Sequence, residues 1–133
     1  MYSSVYQIND PKVSRQMNEL QQQLFDDFPT VFQREGDTPE VGNGWVKELL
    51  RPLCQRLVGL GIADDFHVDQ IKEKFGGLRF YASGASREQD DAIDAAERDS
   101  YKVCELCGSR RDVTTRGSWL LTRCLECNTK KNR

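Results

Sequence analysis

Cys104, Cys107, Cys124 and Cys127 form two Cys-x-x-Cys pairs separated by 16 residues, and no other feature constrains the fold of this chain as tightly. Each pair sets two sulfurs at i and i+3 across a tight turn, and the first runs on into Gly108, where glycine permits a backbone conformation that a Cβ would resist. The intervening residues suffice for a short hairpin, with Val113 to Thr115 and Trp119 to Thr122 as strands and Arg116-Gly117-Ser118 as the turn. Four thiolates brought together in this way close a tetrahedral Zn²⁺ shell and leave no position for water or substrate, so the predicted cofactor is one structural zinc ion. Two disulfides or an iron–sulfur cluster are the alternatives open to the same cysteines. The chain begins Met-Tyr-Ser-Ser-Val-Tyr, without a basic segment followed by an apolar run. That start predicts a cytoplasmic, reducing setting, which favours metal over disulfides.

The rest of the chain is an ordinary globular sequence. Its 133 residues, 38% hydrophobic and 30% charged, suffice for one substantial core but not for two large domains. No apolar run approaches the roughly 18–20 residues that span a bilayer. Charge divides along the chain: residues 1–100 hold 11 Lys/Arg against 18 Asp/Glu, whereas 101–133 hold 8 against 3. The predicted fold class is α+β: an acidic helical and β-hairpin body over 1–100, and a basic four-cysteine zinc-ribbon module over 101–133, packed as one unit. Four thiolates and one Zn²⁺ would take two charges off the positive sum of the tail.

Asp10 and Pro11 offer a helix start, followed by Val13, Met17, Leu20, Leu24 and Phe28 at helical spacing. After Pro29 a polar, glycine-containing loop is expected from Arg34 to Gly44. A second helix runs from Asn43 toward Leu60, with a kink or break expected at Pro52. Trp45, Val46, Leu49, Leu50, Leu53, Cys54, Leu57 and Val58 form its apolar side, so Cys54 reads as a core thiol. His67 to Glu73 and Leu78 to Ala82 read as a hairpin joined across Lys74-Phe75-Gly76-Gly77. In it Phe75, Leu78 and Phe80 would bury one face. Ser86 with Gln89 is a capping box opening a third helix, with Ala92, Ile93, Ala96, Ser100 and Tyr101 inward. Asp90, Asp91, Asp94, Glu97 and Asp99 read as its solvated face.

The segment Ile71-Lys72-Glu73-Lys74-Phe75-Gly76-Gly77-Leu78-Arg79-Phe80-Tyr81 resembles uncharacterised small proteins of bacteria and tailed bacteriophages. The likeness extends to Gly42-Asn43-Gly44-Trp45, to the helix around Glu97 to Tyr101 and to the terminal Cys-x-x-Cys pairs. It implies the same body-plus-ribbon plan and a phage or bacterial setting, without naming an activity. Some of those proteins carry further cysteines before the Gly-x-Gly-Trp segment; this chain has none there, which argues against a second metal site.

Two binding surfaces follow from residue chemistry. Lys72, Lys74, Arg79 and Tyr81, with Trp45 beside them, would make a protein-recognition edge that mixes charged donors with aromatic area. Arg110, Arg111, Arg116, Arg123, Lys130, Lys131 and Arg133 would contact nucleic-acid phosphates, with Trp119 as a stacking residue. Gly76-Gly77 and Gly42-Asn43-Gly44 lack the patterns of phosphate-binding loops. A catalytic set is not apparent: His67 is the only histidine, a Cys54–His67 pair has no activating geometry, and the histidine cluster of HNH-type nucleases is missing. His67, Asp64, Asp65 and Asp69 would bind a metal only if the fold gathered them. The resulting expectation is a non-enzymatic protein-binding regulator, inhibitor or immunity-type module stabilised by zinc, with a nucleic-acid-binding regulator as the alternative.

Overall fold

A computed structural model describes residues 17–33, 38–117 and 119–131. The helix start at Asp10-Pro11 and the inward Val13 lie outside the described residues. Within them the first helix, α1 (Glu19–Asp27), is capped by Asn18, whose side chain accepts from the Gln21 N–H while Gln21 returns the bond to the Asn18 N–H. Met17 therefore lies before the helix rather than on its stripe. Gln21 also donates to the Pro39 carbonyl at 2.9 Å, tying α1 to the segment that follows.

The second helical rod begins at α2 (Asn43–Trp45), passes through a π turn over Val46–Leu50 and continues as α3 (Arg51–Leu60). A π turn falls immediately before Pro52, a local distortion of the kind expected there, and the helix resumes beyond it instead of ending. The wider turn accommodates the proline: the Arg51 N–H reaches back to the Val46 carbonyl, and Pro52 sits in the first turn of α3. Trp45, Val46, Leu49, Leu50, Leu53, Cys54 and Leu57 are buried as read, but Val58 is exposed.

β1 (His67–Lys74) and β2 (Gly77–Ser83) pair antiparallel, with Ile71 opposite Phe80, Glu73 opposite Leu78, and Lys74 opposite Gly77. Phe75 and Gly76 alone form the turn, both at positive φ (56° and 84°), the signature of a type I′ turn whose twist matches that of the strands. Phe75 is thus a turn residue, 68% exposed, and not part of the buried face; Ile71, Leu78 and Phe80 supply that face. The register slips between Val68 and Gln70, far from the glycines.

The capping box of α4 (Arg87–Asp99) forms as read, and Gln89 is drawn inward to donate to the Leu57 and Gly61 carbonyls. A 3₁₀ turn, Ser100–Lys102, leads into the cysteine region. There β3 (Val113–Arg116) and β4 (Leu121–Cys124) form a second antiparallel hairpin, and α5 (Leu125–Lys131), not foreseen from sequence, follows directly. The fold is mixed α+β with a four-cysteine cluster near its C-terminus. Leu24, Val31, Trp45, Leu50, Leu57, Phe66, Leu78, Phe80, Ile93 and Val103 meet in one core between the helices and the inner face of β1–β2.

The edges of that hairpin are engaged by side chains on one side and by backbone on the other. On the side of β2 turned away from β1, the Leu78 N–H donates to Ser100 Oγ at 3.0 Å and the Phe80 N–H to Glu97 Oε2 at 2.8 Å. Glu97 is consequently an edge clamp, not a member of a solvated acidic face. Asp99 is also engaged, forked by Arg110 at 2.8 and 3.0 Å. On the other edge, the Glu40 N–H donates to the Ile71 carbonyl.

Candidate metal centre and its setting

Cys104 and Cys107 lie on either side of a tight turn closed by the Gly108 N–H donating to the Cys104 carbonyl, and Gly108 takes the positive φ (85°) anticipated for it. The second pair is built differently. Cys124 ends β4 and Cys127 lies in the first turn of α5, with the Cys127 N–H directed at Cys124 Sγ at 3.4 Å. The four sulfurs lie within 4.8 Å of one another, and Cys107 and Cys124 are 3.6 Å apart. Four sulfurs about 2.3 Å from a central ion at tetrahedral angles would be separated by about 3.8 Å. The cluster therefore fits a single metal ion, whereas a disulfide needs sulfurs about 2.05 Å apart.

The electrostatics point the same way. Burial raises the Cys104 thiol, but the N–H groups of Cys107, Cys124 and Leu106 outweigh it and bring that group down to about 6. The Ser109 N–H pulls Cys107 down, yet burial and the sulfurs of Cys124 and Cys104 leave it raised, and burial with the neighbouring cysteines pushes Cys127 up further. The scaffold readily ionises one sulfur; four charges this close require a cation among them. Soft thiolates select zinc-like ions over calcium or magnesium.

The setting of the cluster explains Gly42-Asn43-Gly44-Trp45, whose role sequence reasoning missed. Gly44 packs so closely on the first knuckle that a Cβ there would collide with the Cys104 carbonyl oxygen and the Gly108 nitrogen, and would lie 2.8 Å from the Glu105 carbonyl oxygen. The Gly44 N–H donates to that Glu105 oxygen at 2.8 Å, and the Gly42 N–H to the Glu105 carboxylate at 3.0 Å. Trp45 is fully buried and donates through Nε1 to the Val103 carbonyl, immediately before the first ligand. Trp45 is thus removed from the proposed recognition edge: its indole is a strut between helix and knuckle. Glu105 also donates its own N–H to the Thr122 carbonyl, linking the two arms of the cysteine region.

The first hairpin reaches the same region from the other side. Thr122 Oγ1 donates to the Gly76 carbonyl, and Thr115 and Thr122 share a hydrogen at 2.6 Å between their hydroxyl oxygens. A Cβ on Gly76 would lie 2.5 Å from Thr115 Cγ2, and one on Gly77 would strike the Tyr101 ring. The paired glycines let the tip lie against β3–β4.

Of the predicted protein-binding residues, Lys72, Lys74, Arg79 and Tyr81 fall on one face, the one turned away from Ile71, Leu78 and Phe80. Lys74 and Tyr81 are exposed there, while Arg79 folds back to donate to the Leu78 carbonyl at 2.9 Å and to the Tyr101 hydroxyl at 3.5 Å. The predicted nucleic-acid residues do not form one surface. Arg123 is 9% exposed, with Nε and Nη1 buried, and Arg110 is engaged by Asp99. Arg111 and Arg116 are exposed, as is Trp119 at 82%. The side chains of Lys130 and Lys131, and all of Arg133, lie outside the description. His67 Nε2 lies 3.0 Å from Asp69, which also accepts from Ser83; with the carboxylate in the middle, histidine and serine are not joined as base and nucleophile. Among the described residues, the four cysteines are the only group placed to share a metal, and Asp64, Asp65, His67 and Asp69 do not converge. Cys54 is fully buried and pushed up to about 12 by burial, which fits a packing thiol.

No protein-family model, curated protein or solved structure matches the chain. Among the described residues, no helix is long and apolar enough to cross a membrane.

Proposed function

We propose that the chain is a non-enzymatic protein-binding module in which one zinc ion, held by Cys104, Cys107, Cys124 and Cys127, fixes a ribbon against an α+β body. Zinc here supplies rigidity: its sulfur shell leaves no place for substrate. The recognition surface is the outer face of β1–β2, and the observation that carries it is the shared orientation of Lys72, Lys74, Arg79 and Tyr81. Ser100, Glu97 and Glu40 engage the backbone along the hairpin edges. Recognition must then run through side chains rather than strand addition. Three cations around a tyrosine suit an acidic protein surface, and the opposite charge of the body orients the approach. A regulatory, inhibitor or immunity role in a bacterium or phage is the biological part of the proposal, supported by the resemblance of the Lys-Phe-Gly-Gly-Leu-Arg-Phe-Tyr segment.

The test is capture of partners from native extract by zinc-loaded protein, with and without nuclease, repeated with Arg79→Ala. A partner that survives nuclease and is lost on Arg79→Ala, with zinc content and unfolding unchanged, supports the assignment. Undiminished capture by a variant of clearly lower stability makes Arg79 a fold residue and removes it from the surface.

A further inference from the structure

Where the two hairpins touch, their turns present aromatic rings to solvent. Phe75 is 68% exposed and Trp119 82% exposed, and Leu120, 41% exposed, lies against Gly76. The backbone beneath is fixed by the bond between Thr122 and the Gly76 carbonyl, with Thr115 bonded to Thr122 behind it. Phe75 is also an expensive choice: it occupies a left-handed position, φ 56°, where Asn or Gly is preferred. A strained aromatic that buries little of its own ring contributes nothing evident to folding, which points to a ligand.

Cations flank both turns. Lys74 Nζ lies 5.8 Å from the centroid of the Phe75 ring, and Arg116 is exposed on the strand leading to the second turn. No acidic residue occurs between Lys74 and Arg87 or between Val113 and Leu125. Glu73, just before the turn, faces the other way and accepts the Gly76 N–H.

We infer that these two turns form a stacking site for single-stranded nucleic acid, with unpaired bases laid on Phe75 and Trp119 and phosphates met by Lys74 and Arg116. Exposed ring faces can be used only by bases free of a duplex, and two cations are few for gripping a double helix by its backbone. This site occupies the hairpin tips and shares only Lys74 with the outer face proposed for a protein partner. It makes the module an adaptor able to hold a protein and a nucleic-acid strand together.

The test uses zinc-loaded protein and a labelled oligothymidylate of about 12 nucleotides, at about 50 mM and 200 mM salt. Saturable binding should quench tryptophan emission through Trp119, since Trp45 is fully buried. Trp119→Ala should weaken binding about tenfold with zinc content unchanged. Phe75→Asn should weaken it to a similar extent while raising the unfolding midpoint, because asparagine relieves the turn. That opposition of stability and affinity separates a binding residue from a folding one. The inference is overturned if the oligonucleotide does not bind saturably at the lower salt, or if both variants bind like the wild type. Equal affinity for a duplex, or displacement by polyglutamate at matched charge, overturns it as well: the first would mark nonspecific backbone attraction and the second an acidic protein ligand.

Discussion

Gly44→Ala should destabilise the protein, although glycine to alanine near the start of a helix ordinarily does the reverse. In an exposed helix interior the change gains about 0.5–1 kcal/mol, because alanine has less conformational freedom to lose. At Gly44 the new methyl would meet the Cys104 carbonyl oxygen, the Gly108 nitrogen and, at 2.8 Å, the Glu105 carbonyl oxygen. All three are backbone atoms of a turn that metal ligation would hold in place. Overpacking against such a wall costs about 1–3 kcal/mol. Backing away would stretch the Gly44 N–H to Glu105 and Trp45 Nε1 to Val103 bonds, both 2.8 Å, each worth about 1 kcal/mol and more if left buried without a partner. The net expectation is a loss of about 2–4 kcal/mol, a large part of the roughly 5–15 kcal/mol that holds a typical domain folded. Gly59 provides the control: it lies in α3, and a Cβ there would find nothing within 4 Å. Gly59→Ala should stabilise by about 0.5–1 kcal/mol. Urea unfolding of the two zinc-loaded variants, with zinc affinity measured by a competing chromogenic chelator, reads both effects. Gly44→Ala should lower the midpoint and weaken zinc binding, whereas Gly59→Ala should raise the midpoint alone. If Gly44→Ala proved as stable as Gly59→Ala, the close packing of helix on knuckle, and the role assigned to the Gly-x-Gly-Trp segment, would be wrong.

Other perturbations address separate parts of the fold. Purified native protein should carry one zinc per chain with four sulfur neighbours near about 2.3 Å by X-ray absorption, and Cys107→Ser should lose that signal. Cys54→Ala should cost about 1–2 kcal/mol through lost packing while zinc content stays unchanged; loss of zinc from a folded variant would overturn its placement in the core. Asp99 is held below the usual carboxylate range by the Arg110 fork, so its contribution is full above the unfolded value near about pH 4 and is lost as pH falls through the depressed folded value. With side chains 50% and 36% exposed, the pair is worth less than about 1 kcal/mol, and the stability gap between wild type and Asp99→Asn should close in acid. Glu97→Ala leaves the Phe80 N–H without its partner, so unfolding should come about 1–2 kcal/mol earlier; an unchanged midpoint would show that the edge clamp is idle.

What can be read from sequence is local. Cys-x-x-Cys places its own sulfurs, Ser86 and Gln89 lie three residues apart, and Trp45 to Leu57 declare an apolar side by spacing alone. The first helix boundary is equally local, yet two signals compete for it: Asn18 and Gln21 carry the same capping pattern as Ser86 and Gln89, and Asp10-Pro11 draws attention from it. The missed functions are those needing a partner distant in the chain. A glycine whose purpose is to admit a carbonyl some 60 residues away looks like any loop glycine. Trp45 reads equally well as core or as contact area, and only the Val103 carbonyl decides between them. Phe75 is an apolar residue between Lys74 and the paired glycines, and its exposure follows from turn length, which those glycines leave open.

The cysteine region owes little of its order to an apolar core of its own. Along β3 no residue is fully buried, and the buried residues of β4 are Thr122, Arg123 and Cys124. Its other supports include the sulfur cluster and two docking contacts, Gly42–Trp45 on the first knuckle and the Phe75–Gly76 tip on Thr115 and Thr122. Burial that small cannot offset the entropy of ordering some thirty residues, so metal ligation has to carry much of the difference. Thr122, which holds the hairpin tip, lies two residues before the ligand Cys124, and Trp119 lies on the turn that β4 leaves. Stripping the metal should therefore loosen the Trp119 turn and the Phe75 tip together while the helical core around Trp45 persists. Chelation followed by fluorescence anisotropy and acrylamide quenching can tell them apart: the anisotropy of Trp119 should fall while Trp45 stays shielded from the quencher. If Trp45 became accessible as well, the metal would be holding the whole core, and the ribbon could not be treated as a part that yields first.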